Sequence, residues 1–293
     1  MATIGGSLVI GANGVLGRSV AERLRSLGNW VVGTSRRPTA GNLPLDILAM
    51  AASWEPPAGI TTAYFCAAVT SQSLCRKSFD CAHAVNVTAT VSLIRRLLDA
   101  GIFVVFPSTN LVFDGSQPHV LADAATCPRT AYGRMKAEAE MRLLALGGVG
   151  VVRLTKVVHD HLPVFAHWRT SLTQSITVHP FHDMVFSPLL LHDAVSILVA
   201  VGQNRLHGLM QGSAKNDISY AEACRLLAHH LHVAESQVKP VSWQGSDERL
   251  EHVPDHTTLD TSRAEEICGL VPRAAEAALE EVFTALTTVQ RAT

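Results

Sequence analysis

Short apolar runs alternate with longer, helically patterned runs along the first half of the chain. The apolar runs are Ser7–Ile10, Trp30–Thr34, Thr62–Cys66, Ile102–Pro107 and Val149–Leu154. Short continuous runs of this kind, without regular polar alternation, are typical of strands that are covered on both faces. We therefore predict a buried sheet built from these strands.

The segments between the strands have the period of an amphipathic helix. Helices are predicted at Val15–Leu27, Ala82–Leu98 and Tyr132–Leu146, each with apolar residues on one face. Alternation of strands and helices is typical of a parallel sheet with right-handed crossovers. The predicted fold class is therefore α/β, with a Rossmann-like, doubly wound parallel sheet.

The second half of the chain is less regular. Residues 156–190 are rich in His, Phe, Trp, Ser and Pro and show no clear period. Beyond them, helices are predicted at Asp193–Val201, Ser219–Leu231, 262–268 and Ala274–Leu286. Two of these helices are expected to open with capping boxes, Ser219-x-x-Glu222 and Ser262-x-x-Glu265.

We expect two regions in the chain. Residues 1–155 are predicted to form a dinucleotide-binding Rossmann domain, to which residues 186–212 return. Residues 156–185 and 213–293 are predicted to form a small C-terminal substrate-binding region over the end of the sheet.

The composition narrows the class of protein. The chain has 293 residues, of which 47% are hydrophobic and 17% are charged, so it can bury a large core. A formal net charge of −1 provides no basic surface for nucleic acid or for a membrane. The longest apolar run, Ala194–Val201, is far shorter than the roughly 18 residues that span a bilayer. We expect a protein that binds neither nucleic acid nor membrane.

The cysteines and the N-terminus indicate in which cellular compartment the protein is expected. None of the six cysteines belongs to a Cys-x-x-Cys pair, and Met1–Gly6 lacks the basic segment and the apolar stretch of a signal peptide. We therefore expect free thiols and a cytoplasmic protein.

A glycine-rich turn, Gly11-Ala12-Asn13-Gly14-Val15-Leu16-Gly17, joins the first predicted strand to the first predicted helix. Glycines here permit the turn, let the backbone approach a pyrophosphate and allow the helix to pack closely on the strand. The free N–H groups and the dipole of the helix N-terminus favour an anion. The alternative is a turn that binds no ligand. We predict a dinucleotide site that includes Gly11, Asn13, Gly14, Val15, Leu16 and Gly17.

The end of the second predicted strand bears on the choice of cofactor. A carboxylate that binds the free 2′-hydroxyl of NADH is expected about 20 residues after the turn. The chain has Ser35, Arg36 and Arg37 there instead. Two guanidinium groups and a hydroxyl suit a 2′-phosphate, so we predict NADPH in preference to NADH. The alternative is that the arginines are solvated loop charges. Asp46 either accepts a hydrogen bond from the adenine amino group or caps a helix.

Tyr132 and Lys136 are four residues apart and share one face of the third predicted helix. A phenol with a pKa of about 10 exchanges protons poorly at neutral pH, and a nearby ammonium lowers that pKa. The pair is therefore a candidate acid/base unit. The alternative is two surface side chains, for which this spacing is common.

A polar triplet, Ser108-Thr109-Asn110, follows the fourth predicted strand. Open α/β sheets bind their ligands at the carboxyl ends of the strands, where a hydroxyl can polarise a substrate carbonyl. The alternative is an ordinary turn.

Together these motifs resemble those of the extended short-chain dehydrogenases/reductases. The matches are Gly11-x-x-Gly14-x-x-Gly17, Cys66-Ala67-Ala68, Asn86, Ser108-Thr109 and Tyr132-x-x-x-Lys136. Within that family the chain most resembles the dTDP-4-dehydrorhamnose reductases, in the segments Ser108–Gly115, Tyr132–Glu138 and Leu259–Ala264. The resemblance covers nearly the whole chain.

The resemblance implies a reaction and a role for each group. Hydride would come from the cofactor, and Tyr132 would donate a proton to the carbonyl oxygen. Lys136 would lower the pKa of Tyr132 and hold the nicotinamide ribose. Thr109 would hydrogen-bond the same carbonyl, with Ser108 as the alternative.

Further positions would support the site. Ala67 and Ala68 would line the cofactor, and Asn86 would order the backbone or a water near Lys136 rather than touch the substrate.

The chain departs from the family pattern in one loop. The dehydrorhamnose reductases usually have Asp and Tyr after the Ser-Thr pair, where this chain has Asn110 and Leu111. We therefore expect a different substrate, with Asn110 at its binding site. Sugar-nucleotide dehydratases need an acidic pair in this loop, so a dehydratase is disfavoured, whereas an epimerase stays open.

Six of the 14 histidines lie between residues 159 and 192, in and just after the irregular middle of the chain. His159-Asp160-His161 resembles a metal site, but no Cys joins it and no helical His-Glu-x-x-His spacing occurs, so we predict no metal. In related enzymes this region forms part of the substrate pocket. The resemblance therefore implies that Trp168, Arg169 and His182 contact a nucleotide base or diphosphate.

Three functions fit these observations. The first is NADPH-dependent reduction of a keto group on a nucleotide-linked 4-keto-6-deoxy sugar. The second is epimerisation, or reduction of another carbonyl substrate, by the same machinery. The third is that of a non-catalytic, cofactor-bound regulatory subunit, like that of methionine adenosyltransferase, which is a relative of the reductases. The resemblance to this family also implies a homodimer.

Overall fold

Residues 5–37, 41–245 and 250–288 are described by a computed structural model and form alternating strands and helices. The strands are β1 (Gly6–Ile10), β2 (Val31–Ser35), β3 (Asn42–Pro44), β4 (Ile60–Phe65), β5 (Phe103–Thr109), β6 (Val149–Leu154), β7 (Lys156–Val158), β8 (Val185–Phe186), β9 (Pro188–Leu190), β10 (Gly208–Gly212) and β11 (Ile218–Ser219). The helices are α1 (Val15–Ser26), α2 (Ile47–Met50), α3 (Gln72–Lys77), α4 (Phe79–His83), α5 (Thr90–Asp99), α6 (Ala131–Leu146), α7 (Pro163–Thr173), α8 (Leu191–Gln203), α9 (Tyr220–His230), α10 (Ser262–Cys268) and α11 (Ala275–Thr288). A π-helical segment, Ala84–Ala89, joins α4 to α5, and 3-10 turns cover Asn110–Val112, Glu235–Gln237 and Trp243–Gly245.

Seven of the described strands form one parallel sheet in the order β3-β2-β1-β4-β5-β6-β10. The chain begins in the middle of the sheet at β1, continues through β2 to the edge strand β3, and then crosses back to β4 on the other side of β1. From β4 it continues through β5 and β6 to the opposite edge strand, β10. The direction of the crossovers therefore reverses beside β1, and open α/β sheets bind ligands at such a point. The predicted Rossmann-like α/β class is confirmed.

Each face of the sheet has its own apolar core. On one face, Leu8, Phe65 and Phe106 pack with residues of α5 and α6. On the other face, Val9 and Val105 pack with residues of α1 and α8. Successive strand residues point to opposite faces, so a strand between two helical layers needs apolar residues at both parities. This arrangement explains the continuous apolar runs.

The five strands expected from the sequence all occur, but two strands of the sheet were not predicted. Strand β3 has three residues and ends at Pro44, and β10 begins and ends with glycine. Neither forms an apolar run, so hydrophobicity alone does not reveal them. Strand β10 lies next to β6, and α8 shares a core with α1. The limits of the two predicted regions stay a prediction.

A third core lies among α7, α9 and α11 in the C-terminal part of the chain. Helix α7 was not predicted, although Phe165, Trp168 and Leu172 have helical spacing and are buried in this core. The helix has only 11 residues and includes polar His and Ser positions, which hide its period.

The capping predictions had different outcomes. The box at Ser219 and Glu222 is present in both directions. The box at Ser262 is wrong, because α10 already begins at Ser262 and Thr261 precedes it. The hydroxyl of Ser262 donates instead to Asp260 Oδ1 at 2.5 Å.

The remaining expectations concern cysteines, termini and membranes. All six cysteines are free. The prediction that there is no signal peptide rests on Met1–Gly6, of which residues 1–4 lie outside the described residues. Within the described part of the chain, no helix has both the length and the apolarity to cross a membrane.

Candidate active site

The glycine turn is shaped by close backbone contacts. Gly11 has φ +86°, and a Cβ atom on Gly11 would lie 2.9 Å from the Cα atom of Ala67. A Cβ atom on Gly17 would lie 2.3 Å from the carbonyl oxygen of Gly11. A Cβ atom on Gly14 would meet only Gly11 O, at 3.5 Å. The fold therefore requires glycine at 11 and 17, whereas the missing side chain at 14 leaves space outside the turn.

A cleft of about 400 Å³ lies beside this turn. It is lined by Ala12, Asn13, Arg18, Ala21, Arg25, Gly41 and Asn42. Asn42 Nδ2 donates to Asn13 Oδ1 at 2.7 Å, and Asn13 Nδ2 donates to the carbonyl oxygen of Arg37 at 3.5 Å. These contacts link the turn to the loop after β2. Sequence reasoning missed Arg18, Arg25 and Asn42, which have no motif of their own.

The other predicted cofactor residues lie after β2 and β4. Arg36 and Arg37 are exposed, and the hydroxyl of Ser35 donates to the carbonyl oxygen of Arg37. Asp46 Oδ1 accepts hydrogen bonds from the N–H groups of the residues two and three positions later, at 3.0 and 3.4 Å. Asp46 is therefore the N-cap of α2, the second of its two predicted roles.

The loop after β4 is held by a buried amide. Asn86 Oδ1 accepts from Val69 N at 2.8 Å, and its Nδ2 donates to Val69 O at 2.9 Å. Ala67, which touches Gly11, and the exposed Ala68 immediately precede this clamp. Asn86 thus orders backbone, as expected.

Lys136 is buried between α6 and β5. Its side chain is only 3% exposed, Nζ donates to the carbonyl oxygen of Pro107 at 2.7 Å, and it lies 3.6 Å from the ring centroid of Phe106. Burial lowers the pKa of Lys136 to about 7, while Glu140 and Cys66 act in the opposite direction. A buried amine of this kind can change its charge near neutral pH.

Tyr132 lies one turn before Lys136 and is half-buried. It packs against a cluster that includes Cys75 and Met135. Burial raises the pKa of the Tyr132 phenol, and Cys75 acts in the same direction. Lys136 is not among the groups that set this shift, since its Nζ donates to the carbonyl oxygen of Pro107, so the expected lowering of the Tyr132 pKa by Lys136 stays a prediction.

The two hydroxyls at the end of β5 have different environments. Thr109 Oγ1 accepts from Leu111 N at 3.2 Å and so caps the following 3-10 turn. The Thr109 hydroxyl donates to Asn110 Oδ1 at 3.4 Å, a long hydrogen bond. Ser108 Oγ is buried and has no hydrogen-bond partner among the described residues. Ser108 is in register with Arg153, whose side chain bonds to α6, so alternation places Ser108 on the face that α6 covers.

Helix α6 approaches this strand end through a glycine. A Cβ atom on Gly133 would lie 2.2 Å from the carbonyl oxygen of Leu111. The first turn of α6, which carries Tyr132, is therefore packed directly on the 3-10 turn that Thr109 caps. The candidate acid and the candidate carbonyl-binding hydroxyl belong to adjoining turns.

A carboxylate from far along the chain binds the start of α6. Both oxygens of Glu251 accept from Ala131 N, each at 3.1 Å, and Arg134 lies 3.6 Å from the carboxylate. The next residue, His252, contacts the carbonyl oxygen of Asp114 through Nε2 at 2.6 Å. Sequence reasoning missed Glu251, because no local pattern connects residues so far apart.

The structure does not bring the predicted substrate residues together. Trp168 is 5% exposed, with ring centroids 5.8 Å from Phe165 and 6.2 Å from Tyr220. This burial contradicts the expected stacking of Trp168 on a base. Arg169 Nη1 donates to Leu286 O at 3.3 Å, at the end of α11, and His182 is exposed before β8. Trp168 and Arg169 therefore serve the C-terminal core.

The histidine-rich segment lines a different cleft. This cleft, of about 670 Å³, lies among α1, α8 and α11 and contains none of the predicted catalytic or cofactor residues. His159 and His192 are among its lining residues, and burial lowers the pKa of His159. Across the described ranges, no group of three or more His, Cys, Asp or Glu side chains could hold a metal ion.

The described geometry combines a phosphate-type turn with a Tyr/Lys helix at the carboxyl edge of a Rossmann-like sheet. The model of the RmlD substrate binding domain family matches residues 6–288. The chain belongs to this family. The resemblance to dTDP-4-dehydrorhamnose reductases is thereby confirmed.

Two kinds of curated relative are similar to this RmlD-family chain. The dTDP-4-keto-6-deoxy-D-glucose reductase of Streptomyces niveus is 29% identical over 238 residues, covering 80% of this chain and 81% of the relative. Methionine adenosyltransferase 2 subunit beta of Xenopus tropicalis is 25% identical over 290 residues, covering 89% of this chain and 82% of the relative.

Solved structures share the fold over nearly the full length. A dTDP-4-dehydrorhamnose reductase from Clostridium acetobutylicum has a TM-score of 0.82 at 21% identity, covering 96% of this chain and 99% of that one. The Bacillus anthracis enzyme in complex with NADP has a TM-score of 0.81 at 19% identity, with 97% and 99% coverage. MoeE5 in complex with UDP-glucose and NAD has a TM-score of 0.79 at 22% identity, with 99% and 100% coverage.

Proposed function

We propose that this protein reduces the keto group of a nucleotide-linked 4-keto-6-deoxy sugar with hydride from NADPH. The observation that carries the proposal is the close approach of Gly133, the residue after Tyr132 in α6, to the carbonyl oxygen of Leu111, in the 3-10 turn that Thr109 caps. A proton donor and a carbonyl-binding hydroxyl are the two groups that a carbonyl reduction requires beyond its hydride source.

Tyr132 is the proton donor in this proposal. Because burial raises its pKa, the phenol is fully protonated at neutral pH and can supply a proton to the alkoxide that hydride addition creates. Lys136 lies one turn further along α6, where its ammonium form favours the developing phenolate and binds the nicotinamide ribose hydroxyls.

Thr109 binds the substrate carbonyl in this proposal. Its oxygen accepts from Leu111 N, which leaves its own O–H to donate to the substrate once the weak 3.4 Å contact with Asn110 yields. Asn110 follows immediately and is only partly buried, so its amide is a candidate contact for the sugar.

The cofactor site fits a dinucleotide phosphate. Gly14 leaves space in front of the N-terminus of α1, where a pyrophosphate would bind. Arg36 and Arg37 are exposed after β2, and Arg18 and Arg25 line the adjoining cleft, whose described lining residues include no carboxylate. This positive surface supports a 2′-phosphate, hence NADPH rather than NADH. The Bacillus anthracis relative was solved with NADP and MoeE5 with NAD.

The substrate class rests on the relatives. The Streptomyces niveus relative is named as a reductase of a dTDP-linked 4-keto-6-deoxy sugar, and MoeE5 was solved with UDP-glucose. We propose a nucleotide-linked sugar for this chain as well. A cytoplasmic location and a homodimer stay predictions, the second testable by light scattering.

A regulatory role is the second candidate. It is favoured by the similarity to methionine adenosyltransferase 2 subunit beta, which covers 89% of this chain. In that case the cofactor site would bind dinucleotide without turnover.

The deciding experiment mixes purified protein with NADPH and a panel of nucleotide-linked 4-keto sugars, with dTDP- and UDP-linked members. Loss of the reduced nicotinamide is followed optically. Net consumption with one member supports the reductase. Sugar conversion without net consumption would point to an epimerase, and tight NADPH binding without any conversion would favour the regulatory role.

A further inference from the structure

A buried ion pair begins one helical turn after Lys136 on α6. Glu140 on α6 and Arg153 on β6 are each 2% exposed. Arg153 Nη2 donates to Glu140 Oε2 at 2.7 Å, and Arg153 Nε contacts the two carboxylate oxygens at 3.0 and 3.3 Å. Arg153 Nη1 also donates to the carbonyl oxygen of Ala122 at 2.9 Å. The Glu140 carboxylate is therefore held in one place and one orientation.

The same carboxylate is one helical turn from Lys136. Lys136 and Glu140 are four residues apart on α6, and both are almost fully buried. A buried ammonium is costly unless a negative charge lies near it. Burial lowers the pKa of Lys136, and Glu140 is the larger of the two influences that oppose this fall.

Few other ionisable groups face Lys136. Cys66, at the end of β4, is the second group that favours the ammonium, and burial raises the pKa of its thiol to about 12. Tyr132 is on the same helix, and burial raises its pKa too. Arg153 is a cation, so of these groups the Glu140 carboxylate is the one that favours the ammonium form of Lys136 most strongly.

We propose that Glu140 is a positioning residue for the reduction: its carboxylate, fixed by Arg153, keeps the buried Lys136 side chain in its ammonium form beside Tyr132. The ammonium form then prevails up to about pH 7, the pKa of Lys136. Its catalytic consequence rests on the proposed function. A purely structural pair would be replaceable by apolar residues of similar volume with little loss. A carboxylate that sustains the charge of Lys136 is not replaceable in this way.

The chain is well suited to a direct test, since it has only five lysines. Protein labelled with ¹³C at lysine Cε is titrated by NMR, and the Lys136 signal is assigned by its loss in Lys136→Met. The variants are Glu140→Gln and, because that change leaves Arg153 buried without its partner, the double variant Glu140→Gln/Arg153→Met. Glu138→Gln is the matched control, because Glu138 lies on the same helix and pairs with His83 and Arg142 near the surface.

We expect the titration midpoint of Lys136 to fall by about one pH unit or more in both Glu140 variants and to stay unchanged in Glu138→Gln. The alkaline limb of kcat/KM should move to lower pH by a similar amount in the Glu140 variants only. An unchanged midpoint in the folded double variant, or a shifted midpoint with an unchanged pH profile, would overturn the proposal. The NMR titration needs no turnover, so absence of reductase activity in the wild type would overturn the proposed function separately.

Discussion

The ammonium group of Lys136 donates a 2.7 Å hydrogen bond to the carbonyl oxygen of Pro107, two residues before Thr109. This bond ties α6 to the last residues of β5. Together with the close contact of Gly133 and Leu111, it makes the candidate acid and the candidate carbonyl-binding hydroxyls parts of one packed unit. Groups on such a unit need little reordering when a substrate binds.

Replacing Tyr132 with Phe removes the proposed proton donor and keeps the ring in its cluster. We expect kcat to fall by about 10²–10⁴-fold while the Kd for NADPH changes less than about threefold. Steady-state kinetics and a fluorescence titration with NADPH measure the two quantities. A variant with wild-type kcat would exclude Tyr132 as the acid.

Arg36→Ala combined with Arg37→Ala tests the choice of cofactor. Loss of two charged contacts to a 2′-phosphate should weaken NADPH binding by about 10–100-fold and NADH binding by less than about threefold. Arg95→Ala, which removes an exposed arginine from α5, is the control. Equal weakening of both cofactors by the double variant would mean that the arginines do not recognise the phosphate.

Separate substitutions distinguish the two hydroxyls of β5. Thr109→Val should lower kcat by about 10²-fold, because the carbonyl loses its donor and the 3-10 turn loses its cap, whereas Thr109→Ser should retain most activity. Ser108→Ala should leave kcat within about threefold and stability unchanged or improved, since its buried hydroxyl has no described partner. The opposite pattern would assign the carbonyl contact to Ser108.

Two alanine substitutions separate the fold of the glycine turn from its binding role. Gly17→Ala puts a Cβ atom 2.3 Å from Gly11 O and should lower the free energy of unfolding by about 1–3 kcal/mol. Gly14→Ala meets only an ordinary contact at 3.5 Å, so stability should change by less than about 1 kcal/mol while NADPH binding weakens. Urea denaturation and NADPH titration of both variants measure these effects. Unchanged NADPH binding in Gly14→Ala would contradict the proposed pyrophosphate position.

The buried amine of Lys136 should make stability depend on pH. Its pKa is about 7 in the folded protein against an ordinary value of 10.5, so between these values the unfolded chain binds a proton that the folded protein does not. Stability rises with pH wherever the unfolded state binds more protons. The free energy of unfolding of the wild type should therefore rise relative to Lys136→Met from about pH 7 to about pH 9.5. Parallel curves for the two proteins would show that folding does not lower the pKa of Lys136.

The sequence predicts those features that depend only on the pattern of neighbouring residues. The apolar runs of β1 and β4 reflect burial on both faces, and the glycines at 11 and 17 reflect backbone contacts within one turn. Tyr132 and Lys136 share a face because they are four residues apart on a helix. Each of these signals is complete within a dozen or so residues.

The remaining features depend on long-range packing. The contrast between Ser108 and Thr109 becomes visible only when the register of β5 with β6 is known. Trp168 follows a polar, irregular stretch, where an aromatic residue resembles a binding residue, yet its ring belongs to a core completed by α9 and α11. Ala131 and Glu251 are 120 residues apart, and the pair Glu140–Arg153 joins a helix to a strand, so neither contact follows from a local period.

The bond from Ala131 to Glu251 has a consequence for engineering this fold. The helix with the candidate acid takes the acceptor for Ala131 N, in its first turn, from Glu251 in the C-terminal part of the chain, so this bond joins the two parts directly beside the candidate acid. A chimera that exchanges the C-terminal part for that of another enzyme would need a carboxylate at the position of Glu251. In a chimera without that carboxylate, the change in substrate preference would be accompanied by a loss of proton transfer.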